Sequence, residues 1–427
     1  MIPCPVKSAP PEANAVICGE QRLTYRQLDS LAARWHGRLA GHARAWACAD
    51  GSPELIALIH GAARAGTALA LLSTRLAAPE REALIAALAG APDALQLPDG
   101  PAPADPRLDP EAVHTLLFTS GTTGRPKAAQ LTIGNHQANA RASNELLGIE
   151  AQSRFVCCLP LFHVGGVAIA VRCALAGAAV LLHPRFDPKA VARDLREGAT
   201  HASLVSATLA RVLDEGGSFP GNIVLVGGGP VPNALLDKAR RAGLRVLQTY
   251  GLTEASSQVS CERLEDADGA TAGPPLPGVE LKIEGGEILV RGPTVMRGYL
   301  HAPELQGFFR TGDLGELDAR GRLIVHARRD DLILSGGENV YPAEVEAALL
   351  FHPAIAEAAV VPREDAQWGQ VGAAFVVARE PPGDLAAFLR ERLAAYKLPR
   401  SFEELPALPR LASGKVDRRA LRERAAR

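Results

Sequence analysis

A short strand that is apolar on both faces, Ile223-Val224-Leu225-Val226, runs into Gly227-Gly228-Gly229-Pro230, then into an Ala/Leu/Arg-rich helical stretch, and then into a second apolar run from Leu244 to Leu247. Such strands must be covered on both sides, and a helix between two of them makes them parallel neighbours. The same alternation extends from Pro188 to Gly251, so the large region is expected to be α/β. After about Glu280 short strands and turn signals take over, at Glu287 to Val290, Gly315 to Leu317, Asp318 to Gly321 and Leu323 to Val325, which predicts a small β-rich subregion. Beyond Asp330 a compact α+β segment is expected. Pro342 suits the first position of a helix over Ala343 to Leu350, and Asp384 caps another with Leu385, Phe388, Leu389 and Leu393 on one face. At 427 residues more than one domain is expected. A boundary within Arg328 to Asp331 divides the chain into residues 1–329 and 330–427.

Charge excludes some partners. Lysine plus arginine (46) nearly cancel aspartate plus glutamate (47), which argues against nucleic acid and for a small ligand. The seven cysteines are odd in number and lack C-x-x-C spacing, so neither a disulfide framework nor a zinc site is indicated. The start, MIPCPVKSAPPE, lacks the apolar stretch of a signal peptide, so a cytoplasmic protein is expected. The one membrane-like run, Phe155 to Leu182, is interrupted by Pro160, His163, Gly165-Gly166 and Arg172, and reads as core segments; no membrane association is expected.

The segment richest in chemistry is Thr119-Ser120-Gly121-Thr122-Thr123-Gly124-Arg125-Pro126-Lys127, directly after Leu116-Leu117-Phe118. Glycines let backbone N–H groups approach an anion, hydroxyls donate to its oxygens, and Lys127 adds positive charge; the set suits a triphosphate. It is not a Walker loop, because Pro126 precedes the lysine and Ala128 to Thr132 reads as another strand. From this segment on, the chain resembles the adenylate-forming superfamily of acyl-CoA synthetases, adenylation domains and luciferases. Further segments occur in that family's order: Gly227-Gly228-Gly229-Pro230, Tyr250-Gly251-Leu252-Thr253-Glu254, Thr311-Gly312-Asp313, Arg328, Gly336-Gly337-Glu338-Asn339-Val340-Tyr341-Pro342 and Ser413-Gly414-Lys415. The fold this implies is a large N-terminal domain of two α/β-layered subdomains with a small β-rich subregion, and a small mobile α+β C-terminal domain.

The resemblance also implies roles and cofactors: ATP, Mg²⁺ and coenzyme A as cosubstrate. Glu254 would hold Mg²⁺ on the phosphates and Thr253 would contact the α-phosphate. Asp313 and Arg328 would bind the ribose, Gly228-Gly229-Pro230 would lie along the adenine, and Tyr250 and Gly251 would belong to the same cofactor-binding set. Lys415 would be the cation that offsets repulsion between carboxylate and α-phosphate. Asp330 aligns with a hinge, and the loop Gly336, Gly337, Glu338 would serve thioester formation after the C-terminal domain rotates. Taken alone, these residues have plainer readings: Asp313 as a turn aspartate, Glu254 as a solvated carboxylate at a helix start, Asp330 as a surface charge, and Lys415 as one solubility charge among Arg410, Arg418 and Arg419.

Leu159-Pro160-Leu161-Phe162-His163-Val164-Gly165-Gly166 with Arg172 and Gly177, Lys127 to Thr132 with Gly134-Asn135-His136, and Thr253-Glu254 followed by Ser257-Gln258 are similar to the o-succinylbenzoate-CoA ligases of menaquinone biosynthesis. In that substrate one carboxylate is activated and the other stays free. Arg172, in the otherwise apolar stretch Val167 to Ala176, is the candidate partner for the free one; His163 and Ser257 are further substrate candidates. The bland alternatives are an arginine snorkelling from a helix edge or paired with an internal acid, and a satisfied core histidine. The region before Thr119 and the connection from Glu254 to Glu287 are shorter than the family norm, and Ala128-Ala129 replaces the commoner Gly-Val. Other functions are a ligase or carrier-loading enzyme for another acid, and a non-catalytic nucleotide sensor. A small-molecule carboxylic acid is the expected partner, and a homodimer or higher oligomer is left open.

Overall fold

The computed structural model describes residues 1–101, 106–119, 127–229, 231–336, 338–411 and 415–426. It divides into two compact units, one taking in Met1–Lys282, Leu289–Phe309 and Arg320–Leu323, the other Ile283–Ile288, Arg310–Ala319 and Ile324–Arg427.

In the first unit an eight-stranded sheet has the order Ser257–Cys261, Arg245–Leu252, Ile223–Val226, His201–Leu204, Arg154–Cys157, Ala179–Leu182, Asn14–Cys18, Gln21–Thr24. The two outermost pairings are antiparallel and the inner ones parallel. The strand–helix–strand unit legible in the sequence is there. Val224 lies opposite Val246. The intervening helix Asn233–Arg241 buries Leu236 and Ala239 in the same cluster as Val224, Val226 and Val246, which is how a parallel pair covers its face. A second sheet has the order Gly298–Tyr299, Lys127–Thr132, Val113–Thr119, Ala68–Leu72, Arg44–Cys48. Its neighbouring helix Pro53–Ala65 starts with proline, is capped by the Ser52 hydroxyl and is buried along most of its length.

The run from Phe155 to Leu182 resolves into the strand Arg154–Cys157, the 13-residue helix Val164–Ala176 and the strand Ala179–Leu182. Among the described residues no helix is long and apolar enough to cross a membrane. The strands Glu280–Glu284, Glu287–Arg291, Phe309–Leu317 and Leu323–Arg328 form a four-stranded sheet in that order. Asp318 to Gly321 is the turn between the last two rather than a strand, because Gly321, with φ of 73°, reverses the chain there.

In the second unit a five-stranded sheet runs Glu338–Val340, Ile333–Ser335, Gly369–Ala378, Ile355–Asp365, with Ser401–Glu404 parallel to Gly369–Ala378. The helix Pro342–Leu350 begins at its proline. Asp384 caps Leu385–Arg390 by accepting from Ala387 N at 2.9 Å. That helix stops short of Leu393, which nevertheless packs against the same core from the turn that follows.

Among the buried histidines of the first unit, outside the expected site, are His60, His114 and His136. His114 Nε2 bonds the Ile59 carbonyl at 2.8 Å, His136 Nε2 bonds Thr115 Oγ1 at 2.8 Å, and the rings of His114 and His136 meet edge to face. Burial pushes His60 down to about 3, His114 down to about 4, and His136 well below the ordinary imidazole value. Their contribution to stability is therefore full above the unfolded value near 6.5. It is lost as pH falls below that, because the unfolded chain takes up protons that the folded chain refuses. Each titrating histidine is expected to steepen the loss by up to about 1.4 kcal/mol per pH unit. Denaturant unfolding of the parent and of His114→Gln between pH 6.5 and 5, above most carboxylate titration, should give the shallower pH dependence in the variant.

Candidate active site

Parallel strands of one sheet end at one edge, and in open α/β sheets ligands bind there. Three candidate segments leave that edge of the eight-stranded sheet: Cys158 to His163 after Arg154–Cys157, Gly227 to Gly229 after Ile223–Val226, and Thr253-Glu254 after Arg245–Leu252. Among the described residues nothing lies within 4 Å of the position a Cβ at Gly229 would take, which suits that turn to a flat ligand. Gly251 is required for the opposite reason: a Cβ there would sit 1.7 Å from the Ser257 carbonyl oxygen, where the antiparallel pair of Arg245–Leu252 and Ser257–Cys261 shifts register beside Tyr250. Between these strands Thr253–Ala255 makes a single 3₁₀ turn, and Ser256 Oγ fixes the return by donating to the Thr294 carbonyl at 2.8 Å. Ser257 begins the return strand, and Pro230 lies outside the described residues.

The antiparallel pair Val113–Thr119 and Lys127–Thr132 places Thr119 opposite Lys127, at the two ends of the glycine-and-hydroxyl segment. Ser120, Gly121, Thr122, Thr123 and Gly124 lie outside the described residues. Glu254 is half-buried; its backbone carbonyl accepts from Met296 N at 2.8 Å, and its Oε1 accepts from the Tyr299 hydroxyl at 2.7 Å. The Lys127 ammonium lies 5.3 Å from the centre of the same Tyr299 ring. No group of three or more His, Cys, Asp or Glu arranged to hold a metal ion occurs among the described residues. One carboxylate near Lys127, without a preformed cage of ligands, suits Mg²⁺ carried on a triphosphate, since that ion takes one or two carboxylates and fills its shell with phosphate and water. Glu254 and Thr253 would hold it, and it would supply neutralising charge to the phosphates.

Arg172, on the helix Val164–Ala176, is 2% exposed. Its Nη2 donates to Gln258 Oε1 at 3.1 Å and to Ser143 Oγ at 3.3 Å, its guanidinium lies 5.6 Å from the centre of the Phe155 ring, and its Nε has no partner among the described residues. Ser143 also donates to Gln258 Oε1, so the amide is turned with its oxygen toward the charge. Burial pushes Cys173 and Cys261 up to about 12 and Cys157 further still, which leaves these nearby thiols neutral. Arg172 is lowered by burial to about 10 and so remains a cation at neutral pH, with no carboxylate within ion-pair distance among the described residues. It neither snorkels nor pairs with an internal acid. His163 directly precedes the same helix, its ring 4.5 Å from that of Phe162.

In the second unit, Asp313 is held in a network. Arg328 Nε lies 3.1 Å from Asp313 Oδ1, Arg328 Nη1 donates to the Thr311 carbonyl at 3.1 Å, and Thr311 Oγ1 accepts from Asp313 N at 3.0 Å. Gly312, with φ of 73°, permits the turn, and its N–H reaches Glu287 at 3.1 Å. Asp330 is exposed in the 3₁₀ turn Arg329–Asp331; its carbonyl accepts from Arg422 at 2.7 Å, and Arg422 also pairs with the Asp331 carboxylate. The hinge candidate is thereby tied to the helix Arg418–Ala425, which follows Lys415. Lys415 is exposed and its carbonyl accepts from Leu411 N at 2.9 Å. Gly336, with φ of 59°, packs against Trp368, and Glu338 opens the strand Glu338–Val340; Gly337 lies outside the described residues.

The sequence did not point to Tyr299, Ser143 or Gln258's amide as site groups; each acts through a contact between distant segments. Gly134-Asn135-His136 proves structural in its contacts. Asn135 completes a capping box with Thr132, donates to the Pro293 carbonyl at 2.8 Å, and leaves His136 facing the core.

The segments gathered at this sheet edge suit a class of enzyme that handles a nucleotide with its metal ion. The chain belongs to the AMP-binding enzyme family: that family's model matches residues 86–300, and the model of the AMP-binding enzyme C-terminal domain matches residues 344–415. It is 38% identical to a 2-succinylbenzoate–CoA ligase of Bacillus velezensis over an alignment covering 97% of this chain and 95% of the relative. That alignment spans 470 positions, so the relative carries insertions that this chain lacks. Among solved structures, o-succinylbenzoate CoA synthetase from Bacillus subtilis in complex with its acyl-adenylate intermediate superposes with a TM-score of 0.90 at 35% identity, covering 98% of both chains. The same protein with ATP and magnesium gives 0.89 at 35% identity, covering 99% of both.

Proposed function

We propose that the protein is an AMP-forming acid–thiol ligase that converts o-succinylbenzoate, ATP and coenzyme A to o-succinylbenzoyl-CoA, AMP and diphosphate, a step of menaquinone biosynthesis. The observation that carries the reading is the buried Arg172 cation, satisfied among the described residues by neutral groups alone, in the unit that also bears the phosphate-side residues Lys127, Thr253 and Glu254. A buried unpaired charge is costly unless a ligand completes it, and a substrate with a second carboxylate would do so.

In the first half-reaction a substrate carboxylate oxygen bonds to the α-phosphorus and the bond to diphosphate breaks. Lys415 offsets the repulsion between the two anions, and Asp313 with Arg328 holds the ribose. In the second, the thiol sulfur bonds to the acyl carbon, the thiol proton is released, and AMP leaves. Residues 330–427 turn about Asp330 between the steps, withdrawing Lys415 and bringing Gly336, Gly337 and Glu338 to the thiol. His163 and Ser257 line the acyl side. The reading places the enzyme in the cytoplasm, acting on a small carboxylic acid. With MgATP and coenzyme A, a panel of acids read by diphosphate release is expected to show o-succinylbenzoate turned over at least about a hundredfold better in kcat/KM than benzoate or fatty acids, in line with an unpaired buried charge rejecting substrates that lack its partner. Comparable turnover of a simple monocarboxylate would remove the assignment of the acid.

A further inference from the structure

Tyr299 stands between two groups of opposite charge that the proposed reaction needs separately. It occupies the two-residue strand Gly298–Tyr299, in which Gly298 lies opposite Gln130 and Tyr299 opposite Ala129. The seat is rigid. Gly298 has φ of 149°, and a Cβ there would lie 2.9 Å from the Pro303 carbonyl oxygen. Arg297 N and Leu300 N bond the Gln130 and Ala128 carbonyls at 3.0 and 2.8 Å, and Gln130 Nε2 donates to the Tyr299 carbonyl at 3.3 Å. From this seat the phenol hydroxyl reaches Glu254 Oε1 at 2.7 Å, while the ring presents its face to the Lys127 ammonium at 5.3 Å.

Resting on the reading that Glu254 carries Mg²⁺ and Lys127 meets phosphate, we propose that Tyr299 is a positioning residue for the metal–triphosphate: it holds the Glu254 carboxylate in one orientation and keeps the Lys127 ammonium from pairing with it. A carboxylate has two oxygens. The hydrogen bond takes Oε1, and Oε2 accepts from no described residue, so one oxygen is presented to a cation in a fixed direction. The same Met296–Tyr299 segment holds the glutamate at both ends, through the Met296 N–H to its backbone carbonyl and the Tyr299 hydroxyl to its side chain. Lys127 and Glu254 form no ion pair; the aromatic face gives the ammonium a neutral resting partner, and its charge stays available to phosphate oxygens. A lysine and a glutamate in direct contact would instead cancel each other before a nucleotide arrives.

The test is equilibrium binding of a non-hydrolysable α,β-methylene analogue of ATP to the full chain, titrated with Mg²⁺. Loss of a hydrogen bond to a charged group predicts that Tyr299→Phe raises the Mg²⁺ concentration needed for half-maximal analogue binding by about tenfold. Metal-free analogue binding, the thermal midpoint and conversion of supplied acyl-adenylate to thioester are expected to stay at parent values. Tyr299→Leu, which also removes the ring, should weaken metal-free binding as well. A parent-like Mg²⁺ requirement in Tyr299→Phe overturns the proposal, as does an equal loss of metal-free and metal-dependent binding with a lowered midpoint, the mark of a purely structural tyrosine. Glu254→Gln separates the two levels. If it leaves the Mg²⁺ requirement unchanged, the metal role of Glu254 itself is wrong; if it raises the requirement while Tyr299→Phe does not, only the tyrosine's role is lost.

Discussion

Replacing Lys415 with alanine is expected to slow acyl-adenylate formation by about a hundred- to a thousandfold, the usual cost of removing one charge-stabilising donor from a transition state, while supplied acyl-adenylate still becomes thioester at the parent rate. In the first step two anions meet at phosphorus, and an ammonium that touches both is needed only there. In the second step the electrophile is already activated and the attacking sulfur gains nothing from that cation. The side chain is exposed, so its truncation leaves no cavity and the thermal midpoint should not move. Single-turnover measurements of each half-reaction separate the outcomes. Loss of both steps would contradict a lysine that serves one configuration and is withdrawn from the other.

Arg172→Met should show activity and stability moving in opposite directions. The kcat/KM for o-succinylbenzoate is expected to fall by at least about a hundredfold, because the free carboxylate would enter a pocket without its counter-charge. The folded enzyme should be as stable as the parent or more so, since methionine keeps an apolar stem about as far as the arginine Nε and removes a buried cation that, among the described residues, Gln258, Ser143 and the Phe155 ring alone satisfy. Nucleotide binding should be unchanged. A structural arginine would behave otherwise: its loss would lower the unfolding midpoint and affect all acids alike. Thermal unfolding of the variant alongside its kinetics distinguishes the two.

What could be read from the sequence was local or periodic. The strand Ile223–Val226, its glycine turn and the returning strand Arg245–Leu252 were legible because apolar runs of that length, punctuated by glycine, have few other ways to fold. Thr253-Glu254 and Thr311-Gly312-Asp313 are compact motifs whose spacing survives in one dimension. Tyr299 was not legible: it reaches Glu254 across 45 positions, through a two-residue strand too short to leave a pattern. Arg172 stood out as a charge in an apolar helix, but its neutral company was hidden. Ser143 and Gln258 come from a different helix and an edge strand, and polar residues there look like ordinary surface. The end of the helix at Arg390 instead of Leu393 has a similar cause, because an apolar residue can serve the core from a turn as well as from a helix.

This chain is expected to activate a dicarboxylic aromatic acid as its adenylate, and exchange of labelled diphosphate into ATP, with Mg²⁺ present and coenzyme A absent, reads that step alone. Exchange should be rapid with o-succinylbenzoate, slight with benzoate, and absent without acid. Failure to exchange with any carboxylic acid offered, or equal exchange with acids that lack a second carboxylate, would contradict it.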